Sequence, residues 1–293
     1  TRQVVYLSED EPDGLLYRFR PRTWGDLSEG DLEALAVSAV LVAQCYEWIK
    51  IYLPILNGRL LDSQLWEIDR FLLLGMSPNV FFLYLFQSPG ALRFLDATYQ
   101  PLFGTALVLS VALGITHPAP RIQVAWANGA AILWILGAWL YLLVPSLGPC
   151  YVFPDLWVPF AEQLGSNLRT QTWLHANYQS VLALRDGAQG VAFSVTLGVA
   201  AFPSLHVGSQ VFAALWAQQA HRWLGLLTWV TVGVVFVGSI VTGWHYAIDS
   251  VAGALLGWMA FVLGGRGSRL RRFCGGRPSP GVADGPAEPP KAR

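Results

Sequence analysis

The residues best able to do chemistry in this chain are two histidines that each enter an apolar run. Pro203-Ser204-Leu205-His206 opens one run, and Gly243-Trp244-His245-Tyr246, with Asp249 after it, opens the next but one. His245 and Asp249 have the spacing of one helical turn. On one helix face the carboxylate can accept the proton of one imidazole nitrogen and leave the other lone pair pointing outward. An imidazole so fixed is a nucleophile toward phosphorus, and attack gives a phosphohistidine that water or an alcohol resolves. His206 falls in the first turn of its helix, where unpaired backbone N–H groups and the Ser204 hydroxyl can hold phosphoryl oxygens. Since an ordinary imidazole titrates near neutrality, His206 can protonate the leaving oxygen.

Other readings of the same residues compete. A metal centre could draw on His206, His245, Asp249 and His175, but no HxxxH or HExxH array accompanies them. A membrane serine hydrolase would need an activated Ser204 or Ser209, and neither sits in a GxSxG-like turn. A transporter or scaffold would use the histidines along an ion path, which predicts polarity through the middle of several spans rather than at one end. The phosphohistidine chemistry needs no metal and no cofactor.

Positioning such a pair requires helices that start on the same side of a bilayer. The chain is 54% hydrophobic and 13% charged, with mean hydropathy +0.42, whereas a soluble domain carries about 25% charged residues. Several apolar runs approach the roughly 20 residues that cross a bilayer. The expected architecture is all-α and polytopic, with six transmembrane helices over Leu32–Leu56, Leu92–Ile115, Ile122–Val144, Ser204–Ala220, Trp223–Thr242 and His245–Leu263. Between the first two, the Phe71–Phe86 run is broken by Gly75, Pro78 and Asn79 and predicts a re-entrant or interfacial piece. Residues 146–198 form the longest connection, with a rigid turn at Leu147–Pro154 and an amphipathic surface helix over Phe160–Leu184.

Residues 1–31 read as a polar cytoplasmic leader without a short signal-peptide pattern, 32–264 as the membrane catalytic domain, and 265–293 as a basic, then Pro/Gly-rich flexible tail. With the N-terminus inside, Arg18, Arg20, Arg22, Arg121, Arg222, Arg266, Arg269, Arg271 and Arg272 fall on the cytoplasmic side, as the positive-inside tendency expects. Both histidine clusters then face the periplasm or a lumen. A net charge of zero gives no electrostatic basis for a nucleic-acid partner. Cys45, Cys150 and Cys274 form no disulfide framework. Gly253 and Gly257, four apart, suit either a dimer contact or tight packing inside the core.

Phe202-Pro203-Ser204-Leu205-His206 followed by His245-Tyr246-x2-Asp249 resembles the type 2 phosphatidic acid phosphatase superfamily. The leucine in the PSLH form, the HYxxD form, Gly148-Pro149-Cys150-Tyr151-x2-Pro154, and Asp69 with Gly75 and Pro78 downstream resemble its inositol phosphorylceramide synthase and sphingomyelin synthase branch. The resemblance covers roughly residues 60–262. It implies a six-helix membrane core and transfer or hydrolysis of a lipid-linked phosphoryl group, with His245 as nucleophile, Asp249 as its partner and His206 as acid/base. Two cationic positions of the superfamily pattern are missing: Lys50 has no Arg-Pro in register, and Ser239 stands six residues before His245, where an arginine is expected. Arg169, Arg185 and Lys50 are the candidate replacements, beside Ser204 and Tyr151 as substrate-binding residues. Glu47 and Lys50, three apart, could equally form a stabilising pair at the membrane edge. The expected reaction moves a phosphorylated head group from a phospholipid or lipid-phosphate donor to a lipid or alcohol acceptor; with water as acceptor the same site is a lipid-phosphate phosphatase.

Overall fold

A computed structural model describes residues 29–117 and 119–274. Ten α-helices are joined by loops and two short 3-10 turns, with no strand among the described residues. They are α1 (Glu29–Leu56), α2 (Asp62–Leu72), α3 (Pro78–Leu85), α4 (Pro89–Ile115), α5 (Pro120–Leu143), α6 (Pro149–Val152), α7 (Gly165–Arg185), α8 (Leu205–Ala220), α9 (Arg222–Val241) and α10 (Ala247–Cys274). Most of the proposed leader, including Arg18, Arg20 and Arg22, and the tail beyond Cys274 lie outside the described residues.

Local chemistry explains where these helices begin. Prolines occupy the first turns of α3, α4, α5 and α6, where the missing N–H is no loss and φ is already helical. Ser88, Ser204 and His221 cap α4, α8 and α9 by accepting from the Ala91, Val207 and Trp223 amides.

Four helical segments are long and apolar enough to cross a membrane among the described residues: Pro89–Ile115, Ile122–Leu143, Arg222–Val241 and Ala247–Gly265. Their outward faces carry bare Val108, Trp139, Leu227, Leu255 and Trp258. Large apolar side chains presented in that number belong against lipid, not water. α8, at 16 residues, is shorter than a full span and almost wholly buried, held among α4, α5, α9 and α10. α1 packs on α5 and α7.

Four features differ from the sequence expectation. His245 precedes α10 instead of opening it, because Gly243, at φ +77°, turns the chain just before. α10 continues to Cys274, past the end expected for the last span at Leu263. The broken run after α1 resolves into the end of α2, a turn with Leu74 and Gly75 at positive φ, and α3. The helix expected over Phe160–Leu184 is α7, five residues later at its start.

Candidate active site

His206 and His245 come together because α8 and α10 cross with almost nothing between their backbones. A Cβ on Gly208 would stand 2.8 Å from the Gly253 carbonyl oxygen, while Cβ atoms on Gly253 and Gly257 would collide with the Ser204 and Gly208 carbonyl oxygens. The two α10 glycines therefore serve the core of one chain. Above this seam the Ser204 amide donates to the Asp249 carbonyl at 2.9 Å, fixing the start of α8 to the first turn of α10.

At the mouth of the crossing, His206 Nδ1 and His245 Nε2 face each other at 3.4 Å. The other ring nitrogen of His245, Nδ1, lies 3.6 Å from Asp249 Oδ2, an alignment of imidazole and carboxylate that is longer than a hydrogen bond. Asp249 Oδ2 instead accepts the Tyr246 amide at 3.0 Å. His245 is 3% exposed and Asp249 fully buried. The rings of Phe103 and Tyr99 pack on His206 at 4.3 and 5.1 Å. The site thus offers two imidazoles in a dry aromatic setting, one with its far nitrogen directed at a carboxylate.

The turn that carries His245 is held from several sides. The Ser239 carbonyl accepts both the Trp244 and His245 amides at 3.0 and 3.1 Å. Asn79 of α3 donates through Nδ2 to the Ile240 and His245 carbonyls at 2.9 and 3.0 Å. Trp157 Nε1 and Gln171 Nε2 each donate at 2.8 Å, to the Val241 and Thr242 carbonyls. Trp244 Nε1 donates to Asn167 Oδ1 at 2.7 Å, and the Cys150 amide donates to the Gly243 carbonyl at 3.0 Å.

Two buried carboxylates of α2 complete this support. Asp69 accepts the Ala247 and Ile248 amides at 2.6 and 2.9 Å, satisfying the free N–H groups at the start of α10 from a distant part of the chain. Asp62 accepts the Leu147 and Gly148 amides and the Tyr246 hydroxyl, the last at 2.9 Å. Burial pushes the Asp69 carboxyl up to about 6, against the opposing pull of its two amide donors, with the nearby Asp249 charge adding to the rise. Asp62 is also raised by burial, with its donors resisting. Asp62 and Asn79 had no assigned role in the sequence reading, and Asp69 entered only through a family resemblance. Acidic residues seven apart on one helix beside an apolar run were the available signal.

The remaining candidates divide. Lys50 is mostly buried and pairs with Glu47 at 3.5 Å. Ser204 is buried with its Oγ accepting the Val207 amide at 3.3 Å, and Ser209 Oγ donates to the Leu205 carbonyl; neither hydroxyl bonds an imidazole. The buried Tyr151 hydroxyl has no hydrogen-bond partner, and its ring stacks obliquely on His175 at 5.3 Å. His175 pairs with Gln179 at 3.0 Å, and among the described residues no group of three or more His, Cys, Asp or Glu side chains is placed to hold a metal ion. Arg185 is tied to Asp186 at 2.8 Å near the end of α1, and Arg169 is exposed on α7. Position 239 is a fully buried serine bonded to Ser250 at 3.0 Å, so no cation reaches the site from there.

Two facing imidazoles stand among packed helices, four of which are long and apolar enough to cross a membrane, an arrangement compatible with an integral membrane protein. The sequence profile of the PAP2 superfamily matches residues 63–263, and the chain belongs to that superfamily. Its members are in general phosphatases or phosphotransferases that act on lipid phosphates in a membrane. No curated protein matches the chain, and no solved structure does.

Proposed function

We propose that this protein is a membrane phosphotransferase of the inositol phosphorylceramide synthase and sphingomyelin synthase-like kind, transferring a phosphorylated head group from a phospholipid to a lipid or alcohol hydroxyl. The observation that carries its histidine chemistry, common to transfer and hydrolysis, is the orientation of His245, with Nε2 toward His206 and Nδ1 toward Asp249. Asp249 keeps the proton on Nδ1, so the Nε2 lone pair is free to attack phosphorus. The N–P bond forms as the P–O bond to the leaving lipid breaks, and His206 gives that oxygen its proton. The acceptor hydroxyl then attacks phosphorus, its proton passes to His206, and the N–P bond breaks to restore His245. The substrate phosphoryl group separates the two facing imidazoles, and the His245–Asp249 approach shortens as positive charge develops on the ring.

Lys50 supplies the cation that the superfamily pattern would place elsewhere, and one such charge suits a phosphodiester better than a doubly charged monoester. Ser204 and Tyr151 contribute hydroxyls on the phosphoryl and head-group sides. Arg169 and Arg185 remain candidates for a head group that extends beyond the imidazoles, the first exposed and the second already paired. The dry surroundings of His245 favour an acceptor that displaces water. We read α1, α4, α5, α8, α9 and α10 as a six-helix core within 32–264. Both termini are cytoplasmic in this reading, and the histidines lie at the extracytoplasmic or lumenal face.

Mass spectrometry of products formed from mixed membrane phospholipids by the native chain, His206→Ala and His245→Ala tests the proposal. A new head-group-bearing lipid made only by the native chain supports transfer. Histidine-dependent release of free phosphate with no such lipid replaces it with a lipid-phosphate phosphatase.

A further inference from the structure

α2 has two faces with opposite demands. Asp62, Leu65 and Asp69 form its buried side, and Asp69 bonds the first amides of α10. Because α10 is one of the membrane-crossing helices, that contact puts α2 at the level where the span begins, the boundary of the bilayer. The other side of α2 and the turn after it are apolar and bare: Ile68, Phe71, Leu72, Leu74 and Met76 are all exposed, Phe71 at 81% and Leu74 at 99%. Leu74 also holds φ +52°, a backbone region that leucine avoids. A fully exposed leucine kept in a conformation better suited to glycine has no use in water. Placed at the bilayer boundary, it has an apolar solvent to enter. The bare surface continues through Tyr84 and Leu85 of α3 to Phe94 at the start of α4, itself long and apolar enough to cross a membrane, so α2, α3 and the turn between them extend the lipid-facing surface. The Glu67–Arg70 pair, at 3.0 Å, and the Arg70 bond to the Gly75 carbonyl at 3.2 Å put charge beside the apolar tip, the pattern of an element lying in the interface plane.

We propose that α2, α3 and the turn between them dock into the lipid leaflet at the histidine end, and that this docking holds Asp62 and Asp69 against the His245 turn. The leaflet is then a structural partner of the site. Asp69 and Asp62 act as positioning residues, touching the amides and hydroxyl around His245 and not the substrate. The consequence for turnover rests on the reaction proposed above; the docking and the ordering of the turn do not.

The test uses the full chain in phosphatidylcholine nanodiscs containing a phosphatidylcholine with a photoactivatable diazirine on its acyl chain. Adducts within residues 68–76 are expected, and their absence while the outward faces of α4 and α5 are labelled overturns docking. In the same nanodiscs, hydrogen exchange of the 243–250 segment is compared between the native chain, Leu74→Asp and Leu74→Gly. Docking predicts exchange at least about tenfold faster in Leu74→Asp, since loosened support raises the open population, and a smaller acceleration in Leu74→Gly. Leu74→Gly discriminates further: glycine relieves the backbone at position 74, so a role confined to the turn itself predicts unchanged or slower exchange. Unchanged exchange in both variants overturns the coupling. A native chain without phosphotransfer activity defeats the proposed reaction and leaves both measurements decisive for the docking of α2 and α3.

Discussion

Gly253→Ala is the sharpest perturbation of this site that touches none of its chemical groups. The added methyl group would collide with the Ser204 carbonyl oxygen, which is backbone and cannot rotate away. Relief requires α8 and α10 to part by about 1 Å, and overpacking of this kind costs about 1–3 kcal/mol. Parting them also stretches the Ser204 amide bond to the Asp249 carbonyl, now 2.9 Å, and moves His206 away from His245. A misplacement of about 1 Å between reacting groups costs about 10²-fold in rate. The expected result is a lower melting temperature in detergent together with a roughly hundredfold drop in turnover of phospholipid head groups. Gly233→Ala is the matched control, since a Cβ there meets nothing within 4 Å; its helix should gain about 0.5–1 kcal/mol from the change. Turnover by Gly253→Ala equal to that of Gly233→Ala would refute the argument that glycine contact sets the imidazole separation.

Further outcomes follow from the supports of the His245 turn. Asn79→Ala strands the Ile240 and His245 carbonyls in a buried place and should destabilise the fold by about 1–3 kcal/mol; thermal unfolding in detergent unchanged from native would contradict this. Asp69, raised from 3.8 to about 6, keeps its proton in the fold where the unfolded chain has lost it, so this group's contribution to stability falls as pH rises from about 4 to about 6 and then levels off. Asp69→Asn should remove that slope, which melting temperatures across the window would reveal. Lys50→Gln should lower kcat/KM for a phospholipid donor by about tenfold or more, the scale of one charge-assisted contact, with the melting temperature within a few degrees of native. A kcat/KM unchanged by that substitution would leave the Glu47–Lys50 pair a structural one.

The resolving nucleophile separates the two chemistries open to this superfamily. An acceptor hydroxyl and water would both attack the same phosphohistidine, so the geometry of His245, His206 and Asp249 is common to both. In the proposed reaction the choice between them rests on which acceptor reaches the imidazoles. The His245 turn is gripped by α2, α3, α7 and the 3-10 stretch after α6, through Asp62, Asp69, Asn79, Trp157, Asn167 and Gln171. A change of head-group preference engineered in them therefore risks displacing His245 as well.

Hydropathy alone placed, to within a few residues at their ends, the four described helices that are long and apolar enough to cross a membrane, because the solvent of a span is written in consecutive side chains. The histidine pair was legible for a related reason: motifs at the starts of alternate helices must share a membrane face. Tertiary structure decided what local pattern cannot carry. His245 belongs to a turn rather than to a helix face, since Gly243 bends the chain and Ser239 gathers two amides. Gly253 and Gly257 fit a dimer or a core equally well until α8 is seen against them. Asp69 meets the amides of Ala247 and Ile248 across 178 and 179 residues of chain. A carboxylate's sequence neighbours record its helix and its face; they hold no trace of the distant amides that make its burial tolerable, because that pairing exists only once the helices have packed.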